Sequence, residues 1–274
     1  MFSQGHLIWI GVSGILAACI LAVCLRKKPT LKKLFSICLP LGALSEFIKI
    51  FSASEIVPLI DPVITQKEGA AALEWIPAGE YTPYLAKEHL PLELCSLYLL
   101  FMLLALLLKD GKWKKRLYAL MFASGTIGGV MGIALSSIAG DFTSTASFLT
   151  SVRAWQFFLY HSMITAVSIY VGFCKESGLV FSDFKKAYAG LVLLDIPTFY
   201  VNSLLSSEIY LHGRVAGVTH RINFFSSYVN PLGLVLTEKW QWIAYLAVRA
   251  AAAAALVILL YSLLAVKKGR EDNG

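Results

Sequence analysis

Cys95 lies at a position where a thiol could act as a nucleophile. It follows a polar segment and stands near the start of an apolar run that extends from 90 to 108. Pro91 suits the first turn of a helix, where a missing N–H leaves no hydrogen bond unmade. A helix N-terminus or a neighbouring imidazole favours the reactive thiolate, whereas a carboxylate at Glu93 opposes it. Cys95 is therefore the first candidate for chemistry.

Polar and ionisable side chains also lie inside the other apolar runs. Such groups cost at least a few kcal/mol each in a bilayer, so they usually face other helices and often mark function. The set consists of Glu46, Lys49, Arg153, Gln156, His161, Asp195, Asn202 and Arg249. Structural explanations are open as well. Glu46 and Lys49 have the spacing of an ion pair on one helix, and Arg153 could extend to the membrane interface. Gln156 and Asn202 could hydrogen bond between helices.

His161 is the side chain that could serve Cys95 as a base. A thiol beside an imidazole, with the ring held by a carbonyl or carboxamide, is the arrangement of cysteine acyl-transfer enzymes. Asn202 and Asn223 are the side chains that could hold the ring. In the alternative interpretation, Cys95 is a buried packing residue and His161 forms a structural hydrogen bond between helices.

The composition is that of a membrane protein. Hydrophobic residues make up 57% of the 274 residues and charged residues only 15%, with a mean hydropathy of +0.68. Soluble domains carry about 25% charged residues. The net charge of +7 falls mainly in short loops and requires no nucleic-acid partner. The five cysteines have no metal-ligand spacing and no disulfide pattern, so we expect no cofactor and no metal.

Seven apolar runs, each about as long as a membrane span, predict an all-α polytopic membrane protein. We expect one membrane domain with seven transmembrane helices. The predicted helices cover 7–25, 34–51, 90–108, 117–139, 152–173, 187–205 and 242–266. Glycines four residues apart in the fourth run predict close helix packing. Two long loops remain, 52–89 and 206–240, and four prolines predict that the first has no regular structure.

The Lys and Arg residues predict how the chain is inserted. The loops after the first and third runs and the segment after the last run are basic, whereas the two long loops are not. Since positively charged loops stay in the cytoplasm, we expect the N-terminus outside the cell membrane and the C-terminus in the cytoplasm. The side chains that this places in the outer half of the membrane are Glu46, Cys95, His161 and Asn202.

The start of the third run is similar to a known family. Its sequence Leu90-Pro91-Leu92-x-Leu94-Cys95-Ser96 resembles the bacterial YwaF-type integral membrane proteins, which share a fold with the transmembrane protein 164 family. Most of the chain is similar in outline, with seven helices, a histidine in the fifth run (His161) and a sixth run that ends in Asn202. The aromatic loop after it, Asn223-Phe224-Phe225 ahead of Pro231, also looks similar.

The resemblance implies a lipid acyltransferase. The eukaryotic branch of the family implies transfer of acyl chains between phospholipids and lysolipids, with a cysteine nucleophile and a histidine. These roles map onto Cys95 and His161 in this chain. A thiol in the outer half of the membrane cannot readily reach cytosolic acyl-CoA, so we expect a phospholipid donor. The alternative is a multi-pass transporter, or a ligand-binding membrane protein without catalysis, in which the intramembrane charges line a pathway or bind a ligand.

Overall fold

Seven long helices form most of the part of the molecule that the structure, a computed structural model, describes. The structure describes residues 3–67, 70–136, 138, 142, 144–211, 214–220 and 237–272. The long helices are α1 (Gln4–Lys27), α2 (Leu31–Ala53), α3 (Leu94–Leu107), α4 (Lys112–Ala134), α6 (Val152–Phe173), α7 (Phe184–Leu205) and α8 (Lys239–Asp272). A short helix, α5 (Thr145–Thr150), precedes α6.

Helix α6 is the central helix of the bundle. It packs against α1, α2 and α4, and 14 of its 22 residues are buried. Its buried face includes hydroxyl and other polar side chains as well as aliphatic ones. Because other helices cover α6, its polar groups meet protein rather than lipid. A functional group on α6 is therefore held by neighbours on several sides.

The bundle has two chemically different ends. At the basic end, the Tyr170 hydroxyl at the end of α6 donates to the Pro29 carbonyl before α2, at 2.7 Å. There the buried Asp183 carboxylate binds Lys115 at 3.2 Å and Lys186 at 2.6 Å. The opposite end contains the C-terminus of α2 and the N-termini of α3 and α6, and we call it the site end. Asp183 thus links Lys115 of α4 to Lys186 of α7 at the basic end.

Glycines on α4 allow its neighbours to approach closely, as their spacing predicts. A Cβ atom placed on Gly129 would overlap the Thr165 hydroxyl of α6. One placed on Gly125 would overlap Ser168 of α6 and Tyr98 of α3. α4 therefore forms a close seam between α3 and α6.

Five helices, α1, α2, α4, α7 and α8, are long and apolar enough to cross a membrane. α6 has 22 residues but is not one of them, and its buried face carries several polar side chains. α3 has 14 residues and rises about 21 Å, which is shorter than a hydrocarbon core of about 30 Å. The described chain is thus a helical membrane protein, with five helices rather than seven that qualify as spans by length and composition.

The described parts of the two long loops form antiparallel hairpins, which the sequence did not predict. β1 (Glu55–Lys67) pairs with β2 (Ala70–Tyr84), and β3 (Ser207–Leu211) pairs with β4 (Arg214–His220). The prediction of an irregular 52–89 loop is therefore wrong. In a two-stranded ribbon each strand has a free edge, where a proline loses no hydrogen bond. The all-α prediction describes the bundle but omits these ribbons.

Candidate functional site

Cys95 lies in the first turn of α3. This helix begins at Leu94, with Glu93 as its N-cap residue. The prediction that Pro91 lies in the first turn of the helix is therefore wrong. Pro91 belongs to a turn that follows a short 3-10 segment, Lys87–His89, and this turn delays the start of the helix. Cys95 is consequently close to the free N–H groups that open an α-helix.

The Cys95 thiol donates a hydrogen bond to the Glu93 carboxylate, with 3.4 Å between Sγ and Oε2. Cys95 is partly buried, whereas Glu93 is exposed and does not cap the helix with its side chain. A thiol that donates is protonated, and the adjacent negative charge opposes its ionisation. In this arrangement Cys95 needs a base to become a nucleophile.

Tyr160 of α6 connects this turn to the central helix. Its hydroxyl donates to the backbone carbonyl of Cys95 at 2.7 Å. The Tyr160 side chain is buried, and its ring meets the ring of His161 edge-on with 5.9 Å between centroids. Tyr160 thus contacts both the backbone of the candidate nucleophile and the ring of the candidate base.

His161 is oriented by the backbone of its own helix. Its Nδ1 lies 2.7 Å from the Phe157 carbonyl oxygen, and only 4% of the residue is exposed. A carbonyl oxygen can only accept a hydrogen bond, so Nδ1 carries the proton. In the neutral ring the lone pair then belongs to Nε2, which is the atom available to accept a proton.

The far edge of the His161 ring lies over Gly132 of α4. A Cβ atom at position 132 would lie 2.7 Å from Nε2 of His161. One turn earlier on α4, a Cβ atom at Gly128 would lie 3.3 Å from the Leu94 side chain, which precedes Cys95. Residues four apart on a helix are about 6 Å from each other. The α3 start and the His161 ring therefore rest on neighbouring turns of α4.

A charged pair from α2 completes this end of the bundle. Glu46 and Lys49 form an ion pair, and both bind Ser96, the residue after Cys95. The Ser96 hydroxyl donates to Glu46 at 3.2 Å and accepts from Lys49 at 3.2 Å. The i,i+3 spacing predicts this pair, and the structure adds its connection to the first turn of α3.

The remaining predicted residues take structural positions or lie elsewhere. Gln156 donates to the Ser45 hydroxyl of α2 at 2.8 Å, which fits a hydrogen bond between helices. Arg153 is partly buried near the start of α6. Asn202 is fully buried on α7, and the His161 Nδ1 is bonded to the Phe157 carbonyl, so the role of Asn202 in holding the ring stays a prediction. Asn223 lies outside the described residues.

Cys95 and His161 do not hydrogen bond to each other in the part of the chain that the structure describes. The thiol is bonded to Glu93 and the His161 Nδ1 to Phe157. Tyr160 contacts both residues, and the α4 glycines lie against the His161 ring and against Leu94, which precedes Cys95. The arrangement provides a protonated thiol, a neutral imidazole with an accepting Nε2 and a helix N-terminus at one end of the bundle.

A second intramembrane ion pair joins α7 to α8. Arg249 donates to the Asp195 carboxylate, and both side chains are partly buried. This pair belongs to a different part of the bundle, since α7 packs against α4 and α8. Among the described residues, no group of three or more His, Cys, Asp or Glu side chains could hold a metal ion.

The Tyr160 hydroxyl and the Phe157 carbonyl, which contact Cys95 and His161, were not predicted from the sequence. Gly132, which makes room for the His161 ring, was predicted only as a glycine of close helix packing. The glycine spacing of the fourth run was a signal for close packing but did not identify His161 as the neighbour. Nothing in the sequence distinguishes Tyr160 from other aromatic residues of the same run.

Comparison with known proteins gives one match. A family model described as the TMEM164 family matches residues 1–261. No curated protein and no solved structure matches the chain. The matched segment includes the site end with Cys95, Tyr160 and His161, and all of the described chain except the end of α8. This membrane protein therefore belongs to the TMEM164 family.

Proposed function

We propose that this protein is a lipid acyltransferase of the cell membrane that moves an acyl chain from a phospholipid to a lysolipid. Cys95 is the nucleophile and His161 is the base. The observation that carries the proposal is the Nδ1–H hydrogen bond of His161 to the Phe157 carbonyl, which leaves Nε2 as the proton acceptor. The Tyr160 bond to Cys95 places the thiol-bearing turn against the same helix.

In the first half-reaction, Cys95 Sγ attacks the ester carbonyl carbon of the donor phospholipid. The thiol proton passes to Nε2 of His161, and a carbon–sulfur bond forms. The tetrahedral intermediate then collapses with loss of the carbon–oxygen bond to the glycerol. The lysophospholipid leaves as an alcohol after taking the proton from His161. The product on the protein is an acyl thioester of Cys95.

In the second half-reaction, the hydroxyl of an acceptor lysolipid attacks the thioester carbonyl. His161 accepts the hydroxyl proton at Nε2, a new carbon–oxygen bond forms, and the proton passes to the departing Cys95 sulfur. No oxidant, nucleotide or metal enters either half-reaction. The carbonyl oxygen becomes negative in both tetrahedral intermediates, and donors near it would lower the barrier.

Two features of the site support stabilisation of such an oxyanion. Cys95 is the second residue of α3, and the first turn of a helix has backbone N–H groups without intrahelical partners that would donate to an oxyanion. Lys49 is held beside the first turn through Ser96. The nearby Glu46 and Glu93 carboxylates keep this end from being strongly positive, which suits a neutral ester substrate better than an anion-binding role.

The proposal includes the orientation of the chain. The basic end carries the lysine-rich turns, so we place it in the cytoplasm and the site end at the outer leaflet. A lipid ester of the outer leaflet then reaches Cys95 by lateral diffusion in the bilayer, whereas cytosolic acyl-CoA would have to cross the bilayer. This favours a phospholipid donor over a soluble thioester.

The test is acyl transfer by the purified protein in detergent–lipid micelles. A phospholipid with a labelled acyl chain and an unlabelled lysophospholipid are supplied to the wild type and to Cys95→Ala, His161→Ala and Cys19→Ala. Cys19 is an exposed cysteine of α1 and serves as the matched control. Transfer should be lost in the first two variants and retained in Cys19→Ala. Transfer that survives Cys95→Ala would overturn the thiol mechanism. Absence of transfer in the wild type, together with solute flux in liposomes, would favour the transporter alternative.

A further inference from the structure

We propose that Tyr160 is a positioning residue that holds the Cys95 turn in register with His161 during acyl transfer. This inference rests on the proposed function and adds a residue that sequence reasoning did not identify. Tyr160 does not touch the sulfur in the structure. Its hydroxyl binds the Cys95 backbone carbonyl instead, so it acts through the position of that turn.

The hydrogen bond fixes one helix relative to another. In the described part of the chain, two hydrogen bonds join α3 to α6, namely Tyr160 to Cys95 and Ser168 to Tyr98, each at 2.7 Å. Only the first lies at the residue that carries the thiol. A carbonyl oxygen has two lone pairs, so Cys95 can accept from Tyr160 and remain within the helix.

The phenol of Tyr160 is itself held from several sides. It is 5% exposed, and a Cβ atom at Gly42 of α2 would lie 3.3 Å from its ring. His161 follows it in the chain, so any rotation or shift of α6 moves the phenol and the imidazole together. The Tyr160 hydrogen bond therefore helps to set the distance between the Cys95 turn and the His161 ring.

Among the described residues, Tyr160 supplies the side-chain hydrogen bond that joins the first turn of α3 to α6. Glu93 does not cap the helix with its side chain, and the preceding segment is a turn. The other side-chain bonds to this turn are those of Glu46 and Lys49 to Ser96, which come from α2 and not from α6. Loss of the Tyr160 hydroxyl would thus leave this turn bonded to α2 and packed on α4, without the hydrogen bond that sets its position relative to α6 and His161.

The structure also supplies a matched control. Tyr98 is a buried tyrosine of α3 whose hydroxyl accepts from Ser168 in the second bond between α3 and α6. Ser168 lies seven residues after His161, about 10 Å along the helix. Tyr98→Phe and Tyr160→Phe each remove one hydroxyl from one bond between the same two helices. If the Tyr160 hydroxyl only stabilised the fold, Tyr160→Phe and Tyr98→Phe would have similar effects on acyl transfer and on thermal stability.

The experiment measures kcat and KM for acyl transfer by the wild type, Tyr160→Phe and Tyr98→Phe, with thermal unfolding as a check on folding. We expect kcat to fall about 10- to 100-fold in Tyr160→Phe with KM nearly unchanged, because a small misplacement of reacting groups has effects of this size. Tyr98→Phe should stay within about threefold of the wild-type kcat.

Two results would overturn the inference while leaving the proposed function intact. One is a Tyr160→Phe variant with wild-type kcat, and the other is an equal fall of kcat in both variants at equal loss of thermal stability. A wild type without Cys95-dependent transfer would instead overturn the proposed function and, with it, this role for Tyr160.

Discussion

His161 of α6 lies against Gly132 of α4, so closely that the ring occupies space that any larger residue at position 132 would need. A Cβ atom there would lie 2.7 Å from Nε2, the nitrogen that is left to accept a proton. Atoms of real side chains do not approach to this distance without a shift, so the glycine determines where the imidazole can be. The position of the base thus depends on the absence of a side chain on a different helix.

Gly132→Ala should displace the His161 ring and lower acyl transfer at least tenfold, while the bundle remains folded. The added methyl group meets the ring edge that carries Nε2, so the ring must rotate away from its hydrogen-bonded position. Gly14→Ala on α1 is the matched control, because a Cβ atom at that glycine contacts nothing within 4 Å. Transfer rates of both variants, each normalised to folded protein, provide the measurement. Equal activity of the two variants would contradict the importance of this contact.

Glu93→Gln should make the Cys95 thiol react faster with a small maleimide, by roughly three- to tenfold. The substitution removes the negative charge that faces the sulfur and keeps an oxygen that can accept from the thiol. The alkylated Cys95 peptide is followed over time by mass spectrometry, and the peptide that contains Cys174 serves as an internal reference. An unchanged or slower reaction would show that Glu93 does not restrain the thiol. Loss of acyl transfer in the same variant would favour Glu93, rather than His161, as the base.

The Glu46–Lys49 pair should show a coupling energy on the order of 1 kcal/mol in a double-mutant cycle. Lys49→Met leaves the Glu46 carboxylate partly buried without its cation, and Glu46→Gln does the reverse. The double variant removes both charges. Its loss of unfolding free energy should be smaller than the sum of the losses in the two single variants. Unfolding of the four proteins in mixed detergent micelles gives the energies. Strictly additive effects would mean that the pair is not an energetic unit.

The orientation of the chain can be measured with cysteines introduced near the two ends of the bundle. Glu55→Cys, just after α2, should react with a membrane-impermeant thiol reagent in intact cells. Lys109→Cys, between α3 and α4, should react only after the cells are permeabilised. Both positions are exposed in the structure. The opposite pattern of labelling would place the site end in the cytoplasm and make acyl-CoA an accessible donor.

The membrane class, the helices and the end of the bundle near which several polar residues lie could be predicted from the sequence. Apolar runs of sufficient length predict helices because a bilayer leaves the backbone no other partners. The i,i+3 spacing of Glu46 and Lys49 predicts their ion pair, and the structure contains it. Counting residues from the helix ends placed Cys95 and His161 near the same end of the bundle, where they lie.

Contacts between helices could not be predicted. Sequence spacing gives the position of a side chain along the helix axis, but it does not give the rotation of the helix relative to its neighbours. The bond from Tyr160 to Cys95 joins residues 65 positions apart. The His161 ring is held by the Phe157 carbonyl, a backbone group that no residue type reveals. The start of α3 at Leu94 depends on the turn before it, so the predicted place of Pro91 was wrong.

The most direct measurement of the central claim is detection of an acyl thioester on Cys95. The wild type is incubated with a phospholipid that carries a labelled acyl chain, then denatured and analysed by peptide mass spectrometry, with and without hydroxylamine. We predict a hydroxylamine-sensitive acyl group on Cys95 in the wild type and much less of it in His161→Gln. In Cys95→Ala, no other residue should carry such an acyl group. Acyl transfer that proceeds with no acyl group on Cys95, or that continues undiminished in Cys95→Ala, would contradict the proposed mechanism.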